Sequence, residues 1–91
     1  MDVVQTLAER GSRYGKFVDV AKATTALQNC LYEHFSFGKL NDIPDDMGVA
    51  LDMICHKMAR IAVGDINYVD NWHDIAGYAQ LVADRLNGIE R

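Results

Sequence analysis

Three long segments of the chain carry apolar residues at every third or fourth position, the spacing that places side chains on one face of an α-helix. The pattern is clearest from about Phe17 to Phe35, whose apolar stripe is Phe17, Val20, Thr24, Leu27, Leu31 and Phe35. No segment shows the alternation of apolar and polar residues that is typical of β-strands. The sequence therefore predicts an all-α fold.

Glycine and proline mark the ends of the predicted helices. We predict a short first helix over residues 3–10, stopped by Gly11, and a third helix over residues 44–63, whose proline suits a first helical position. The last helix is predicted from about residue 67 to residue 87. Because 91 residues suffice for one small domain, the prediction is a single helical domain, 1–91: a small antiparallel helical bundle of three long helices plus a short N-terminal helix.

Composition excludes several classes of function. The formal net charge is −4, which argues against general nucleic-acid binding, since that activity normally requires a basic surface. No apolar run approaches the length of a membrane span, and the first residues lack the basic and apolar segments of a secretion signal. The two cysteines, Cys30 and Cys55, lack metal-type spacing and are expected to be reduced. We therefore expect a cytoplasmic protein that does not bind membranes.

The last predicted helix carries two aspartates, Asp70 and Asp74, one turn apart among apolar and aromatic residues. Two faces of this helix are expected to be shielded from solvent, and only His73, Gln80 and Asp84 form a purely polar strip. A helix with so narrow a polar strip is expected to be covered on more than one side, by another helix, an oligomer partner or a pocket. We predict that Trp72, in a core stripe with Ile75, Ala76, Ala79, Val82, Ala83 and Leu86, and Tyr78, on the face of the two aspartates, line an interface or pocket.

The acid pair permits two interpretations. Asp70 and Asp74 could be first-turn acids that favour the helix dipole and pair with a cation such as Lys57 or Arg60. Alternatively, they could converge with Asp52 of the preceding helix to bind a divalent cation. Carboxylates with open water positions suit Mg²⁺ or Mn²⁺ bound together with substrate phosphates.

The rest of such a site would come from nearby cations. Lys57, Arg60 and Arg13 are the candidate phosphate-binding residues, and His56 is a possible ligand or base. Arg10 and Lys16 could contribute as well if the segment ERGSRYGK folds over the site.

The segments RGSRYGKF and ALDMICHKMARIAVGDINYVDNWHDIAGYAQLV resemble a family of short phage and prophage proteins of unknown function. The family pattern is Arg-x-x-Tyr-Gly-x-Phe, then Lys-x-x-Arg, then Asp-x-Trp-x-Asp-x-Ala-Gly-Tyr, although here the tyrosine directly follows the arginine. The matching residues are Arg13, Tyr14, Gly15, Phe17, Lys57, Arg60, Asp70, Trp72, Asp74, Gly77 and Tyr78. The resemblance covers most of the chain.

The chain is also distantly similar to the MazG-type all-α nucleoside triphosphate pyrophosphohydrolases. That likeness implies a helical homo-dimer or higher homo-oligomer that hydrolyses nucleotides with Mg²⁺ held by two acid pairs. Asp70 and Asp74 match the second pair, whereas the first pair, Glu-x-x-Glu, is missing and only Asp52 stands in that helix.

Two functions from different classes remain open. The first is binding of a phosphorylated nucleotide with a divalent metal, extending to metal-dependent nucleotide pyrophosphohydrolase activity. The second is that of a non-catalytic phage accessory protein, which binds a host protein or sequesters a signalling nucleotide as an inhibitor of host defence.

Overall fold

The structure, a computed structural model, describes residues 2–35 and 42–91. Within these residues it contains four helices and no strands: α1 (Val3–Tyr14), α2 (Phe17–Glu33), α3 (Asp45–Val63) and α4 (Val69–Leu86). This confirms the all-α prediction and the approximate bounds of the three long helices. No helix in these two ranges is long and apolar enough to cross a membrane.

The first helix is longer than the sequence predicts, because Gly11 does not stop it. Asp2 caps α1 by accepting a hydrogen bond from the Gln5 backbone at 2.8 Å, while the Gln5 side chain accepts one from the Asp2 backbone. From this start the helix continues through Gly11 and ends at Tyr14. An interior glycine weakens a helix without preventing it, so the prediction of an eight-residue helix was wrong.

Helix α3 is the centre of the fold. Helices α2 and α4 both pack against α3, and they make few contacts with each other in the described part of the chain. The buried apolar residues reflect this arrangement, since three of the four in residues 2–35 and 42–91 belong to α3: Ala50, Cys55 and Ala59, with Val20 of α2. Small side chains at these positions let the flanking helices approach α3 closely.

Two glycines join the α1–α2 corner to the end of α3. Gly15, between α1 and α2, has a φ of +86°, and a Cβ there would lie 2.5 Å from Val63 Cγ1. A Cβ on Gly64 would lie 2.5 Å from the carbonyl oxygen of Arg13. The backbone N–H of Asp65 donates to that same oxygen at 2.8 Å. Only glycine permits this contact between the two backbones.

Helix α4 faces α3 with a different side from the one the sequence suggests. Its most buried residue toward α3 is Asn71, which is only 1% exposed, whereas Trp72 of the predicted core stripe is 52% exposed. Asp84, predicted to be in the polar strip, is buried because Gln80 and Arg91 both donate hydrogen bonds to it. The apolar surface of α4 is therefore divided, and about half of it points away from α3.

We expect Gly64→Ala to lower the free energy of unfolding by about 1–3 kcal/mol, because the new methyl group would overlap the end of α1. Gly11→Ala is the matched control, since a Cβ at Gly11 meets nothing within 4 Å. That control should raise stability by about 0.5–1 kcal/mol through helix propensity. Urea denaturation followed by circular dichroism measures both. Equal effects would contradict a close approach at Gly64.

Candidate functional site

The two aspartates on α4, Asp70 and Asp74, contact different partners in the structure. Asp74 forms a salt bridge with Lys57 of α3, with Nζ 3.1 Å from Oδ2. Lys57 is only 8% exposed, so its ammonium depends on this partner. This is the ion pair that one of the two sequence interpretations allowed for Asp74.

Asp70, in the first turn of α4, lies beside the hydroxyl group of Tyr68. Hydrogen bonding to the Asp70 carboxylate, with a second contribution from Tyr14, raises the pKa of Tyr68 to about 12. Asp52 has different partners, since it accepts hydrogen bonds from Tyr32 and, at 3.4 Å, from Gln28 of α2. Asp52 therefore serves the contact between α3 and α2.

The predicted metal ligands do not meet within one chain. Asp52 and Lys57 lie five positions apart on α3, which places them about 140° apart around the helix axis, so Asp52 faces away from the Lys57–Asp74 pair. In residues 2–35 and 42–91 no three His, Cys, Asp or Glu side chains group as a metal site would require. Binding of Mg²⁺ or Mn²⁺ stays a prediction from the sequence.

The predicted cations, in contrast, are partly brought together. A groove of about 550 Å³ runs between α1, the start of α2 and α3. Its walls are Leu7, Arg10, Gly11, Tyr14, Gly15, Lys16, Phe17, Val20, His56 and Arg60. Three of these side chains are permanently cationic, a fourth is a histidine, and none of the described lining residues is acidic. We call this feature the basic groove.

Two tyrosine rings position the arginines near the groove. The Arg60 guanidinium lies 4.2 Å from the ring centroid of Tyr14, and that ring meets Tyr68 edge to face at 5.4 Å. Arg13 lies 4.8 Å from the Tyr68 centroid. Such contacts hold a guanidinium in place while leaving its N–H groups available to an anion. Arg60 thus lines the groove, whereas Arg13 lies beside Tyr68 and outside its lining.

Electrostatics in the groove favour an anion. Burial, then the nearby charges of Arg60 and Lys57, lower the pKa of His56 below 6.5. Burial disfavours the charged imidazolium, and the two cations repel a further positive charge. A bound anion would offset the repulsion from these cations and raise the pKa of His56.

The sequence analysis placed Phe17 in the apolar stripe of its helix, and the structure corrects this. Phe17 is 84% exposed, at the mouth of the basic groove. The periodic pattern gave no signal of this, because Phe17 is the first residue of α2 and lies beyond the reach of α3 packing. Arg10 and Lys16 were predicted to contribute to the site only if the segment ERGSRYGK folds over it. In the structure α1 packs on α3, and both residues line the same groove as Arg60.

The two aromatic residues predicted at an interface or pocket differ in position. Tyr78 lies in a second groove beside Asp46 and Arg85, which form a salt bridge between α3 and α4. Trp72 is half exposed and donates its indole N–H to the carbonyl oxygen of Ile66 at 3.1 Å.

Comparison of the chain with protein-family models, with curated proteins and with solved structures found no match.

We expect Asp74→Ala to lower the free energy of unfolding by about 1–3 kcal/mol, because it leaves the buried Lys57 ammonium without its partner. Asp70→Ala, one turn earlier on α4, should cost less than about 1 kcal/mol, since it removes a first-turn charge and an exposed hydrogen bond with Tyr68. Chemical denaturation of both variants checks this.

Adding Lys57→Met to Asp74→Ala should recover much of the loss, because the unpaired charge is then gone. Equal losses for the two aspartate variants, or no recovery in the double variant, would contradict a structural role for the Lys57–Asp74 pair.

Proposed function

We propose that this protein binds a phosphorylated nucleotide in the basic groove. The observation that carries the proposal is the convergence of Arg10, Lys16 and Arg60 with His56 in a groove whose described lining has no acidic residue. In a protein with a net charge of −4, such a local concentration of cations is a marked exception to the overall charge. Guanidinium and ammonium groups together are the usual means of binding phosphate oxygens.

The aromatic residues support a nucleotide rather than an inorganic anion. Phe17 presents a largely exposed ring at the mouth of the groove, and the Tyr14 ring lines its wall. Aromatic faces stack on nucleic-acid bases with little dependence on base identity. A volume of about 550 Å³ is also within the ordinary range for small-ligand sites, which is about 300–1,000 Å³.

The groove residues support binding more directly than hydrolysis. Pyrophosphohydrolysis of the MazG type would need carboxylates to hold a metal and its water. The basic groove supplies cations, and its described lining offers no carboxylate. Sequestration of a signalling nucleotide by a phage accessory protein, the second function considered from the sequence, would use the same groove.

We expect ATP, GTP or a cyclic dinucleotide to bind in isothermal titration at low salt, with chelator present. Arg60→Ala and Lys16→Ala should each weaken binding at least about 10-fold, because each removes a phosphate contact. Lys22→Ala is the matched control, since Lys22 is exposed on α2 and does not line the groove. Phe17→Ala should weaken the binding of nucleotides but leave the binding of inorganic pyrophosphate unchanged.

The results distinguish the alternatives. No binding of any of these ligands would overturn the proposal. Binding that requires Mg²⁺ and is lost in Asp52→Asn would instead favour the metal site predicted from the sequence. Product analysis of the same mixtures separates binding from hydrolysis.

Binding should also depend on pH through His56. Because the pKa of His56 is lowered below 6.5, the imidazole is neutral at pH 7 and becomes cationic only as pH falls through that lowered value. Affinity for the anion should therefore rise at acidic pH, and the bound anion should raise the pKa of His56. The ratio of wild-type to His56→Gln affinity, measured across pH, isolates this effect from protonation of the ligand. A ratio independent of pH would contradict a place for His56 in the site.

A further inference from the structure

The protein exposes more surface than a compact chain of its size. Its accessible area is 6639 Å², whereas a folded monomer of 10.2 kDa is expected to expose about 5,300 Å². Its radius of gyration is 15.1 Å, against about 12 Å expected for 91 residues in a compact domain. The excess area is thus about 1,300 Å² per chain.

Exposed apolar residues lie on α1 and the start of α2, where Val3, Val4, Leu7, Phe17 and Val18 are each more than half exposed, and along one side of α4. Its members recur at alternating spacings of three and four residues: Val69, Trp72, Ala76, Ala79, Ala83 and Leu86. All six are exposed, with Leu86 at 63%, and none is charged. We call this feature the α4 stripe. A repeat of three and four residues is the pattern by which two helices pack along a shared seam.

The α4 stripe continues into an apolar groove on α3. Ala79 and its neighbour Val82 share this groove with Met47, Leu51 and Ile54, which recur on α3 at the same spacing. The groove exists because α2 and α4 flank α3 and make few contacts with each other in the described part of the chain. Phe35, Ile43 and Pro44 also line this groove, and Asp42 is the one charged residue in its described lining. This side of the three-helix layer is therefore mainly apolar.

The order of large and small residues in the α4 stripe is nearly symmetric about Ala79. Trp72 lies seven positions before Ala79 and Leu86 lies seven positions after it. The members of the stripe between them are all alanines, at positions 76, 79 and 83. In an antiparallel copy of the stripe, related by a two-fold axis near Ala79, Trp72 of each chain would lie against Leu86 of the other. The alanines of the two chains would lie near one another. Such self-complementarity is what a two-fold homodimer interface requires.

From these observations we infer that the occupant of this surface is a second copy of the chain, paired α4 to α4 in antiparallel orientation about a two-fold axis near Ala79. The excess area of about 1,300 Å² belongs to the whole chain, and this surface supplies part of it, whereas each partner of a stable homodimer buries about 1,000–2,500 Å². The three alanines allow the two helices to approach closely, and the flanking apolar groove of α3 extends the contact. The basic groove lies about 180° away around α3, since His56 and Arg60 are on the side opposite Met47, Leu51 and Met58.

Sedimentation equilibrium of the full chain tests the assembly. The wild type should sediment at twice the chain mass of 10.2 kDa at micromolar concentration. Ala79→Glu places a charge at the proposed axis in both copies and should weaken the dimer at least about 100-fold. His73→Glu is the matched control, because His73 is exposed on the same helix but outside the stripe, and it should leave the dimer intact.

Disulfide cross-linking tests the orientation without relying on a disruptive variant. In a Cys30→Ser background, Ala79→Cys should cross-link to itself on oxidation, since residues beside a two-fold axis come within disulfide distance. Ala76→Cys co-expressed with Ala83→Cys should give a mixed cross-link, while neither links efficiently to itself. His73→Cys should give none.

A monomeric wild type at all concentrations would overturn the inference. So would a dimer that Ala79→Glu leaves intact, since the contact would then lie elsewhere on the chain. Self-linking of Ala76→Cys and of Ala83→Cys, with no mixed product, would show a parallel arrangement and overturn the two-fold pairing proposed. If Ala79→Glu loses its helical circular dichroism signal, the cross-linking pattern alone decides.

Discussion

The contact between the α1–α2 corner and the end of α3 determines where every candidate ligand-binding residue lies. Gly64 lies against the carbonyl oxygen of Arg13, and Gly15 lies against Val63, at separations that leave no room for a Cβ. This contact brings the Tyr14 ring under the Arg60 guanidinium and turns the chain so that Lys16 faces the same groove. Helix α1 has no buried residue of its own. Because an isolated twelve-residue helix is marginal in water, its placement depends on this corner and on the few side chains that follow it.

Helix α3 divides the molecule into two sides of different chemistry. Nearly every α3 residue is at least half covered, which is expected for a helix that has neighbours on two flanks. The side that carries His56 and Arg60 meets α1 and is basic and aromatic. The opposite side, with Met47, Leu51 and Ile54, is apolar and continues onto α4. A ligand on one side and a partner on the other could therefore be accommodated at the same time, because neither surface uses residues of the other.

The sequence predicted the helices well and the contacts between them less well, for identifiable physical reasons. Periodicity defines a helix, so three long segments were found within a few residues of their ends. Gly11 misled the prediction, because a glycine inside a helix does not by itself end it, and the positive φ at the end of α1 falls on Gly15. Periodicity also could not orient α4, since its apolar residues cover too much of the circumference. The burial of Lys57 and Asn71 depends on tertiary contacts that no local pattern encodes.

The ion pairs between α3 and α4 explain which half of the α4 surface packs inward. By hydrophobicity alone, the α4 stripe with Trp72 and Leu86 would pack on α3 as favourably as the half-buried side that carries Ile75 and Val82 does. The Lys57–Asp74 and Asp46–Arg85 pairs join the two helices at separate points, and both can form in only one rotation of α4. Buried or half-buried pairs contribute little net stability, yet breaking one is costly, so they select among packings of similar hydrophobic energy. In this chain the selected packing is the one that leaves the self-complementary stripe on the outside.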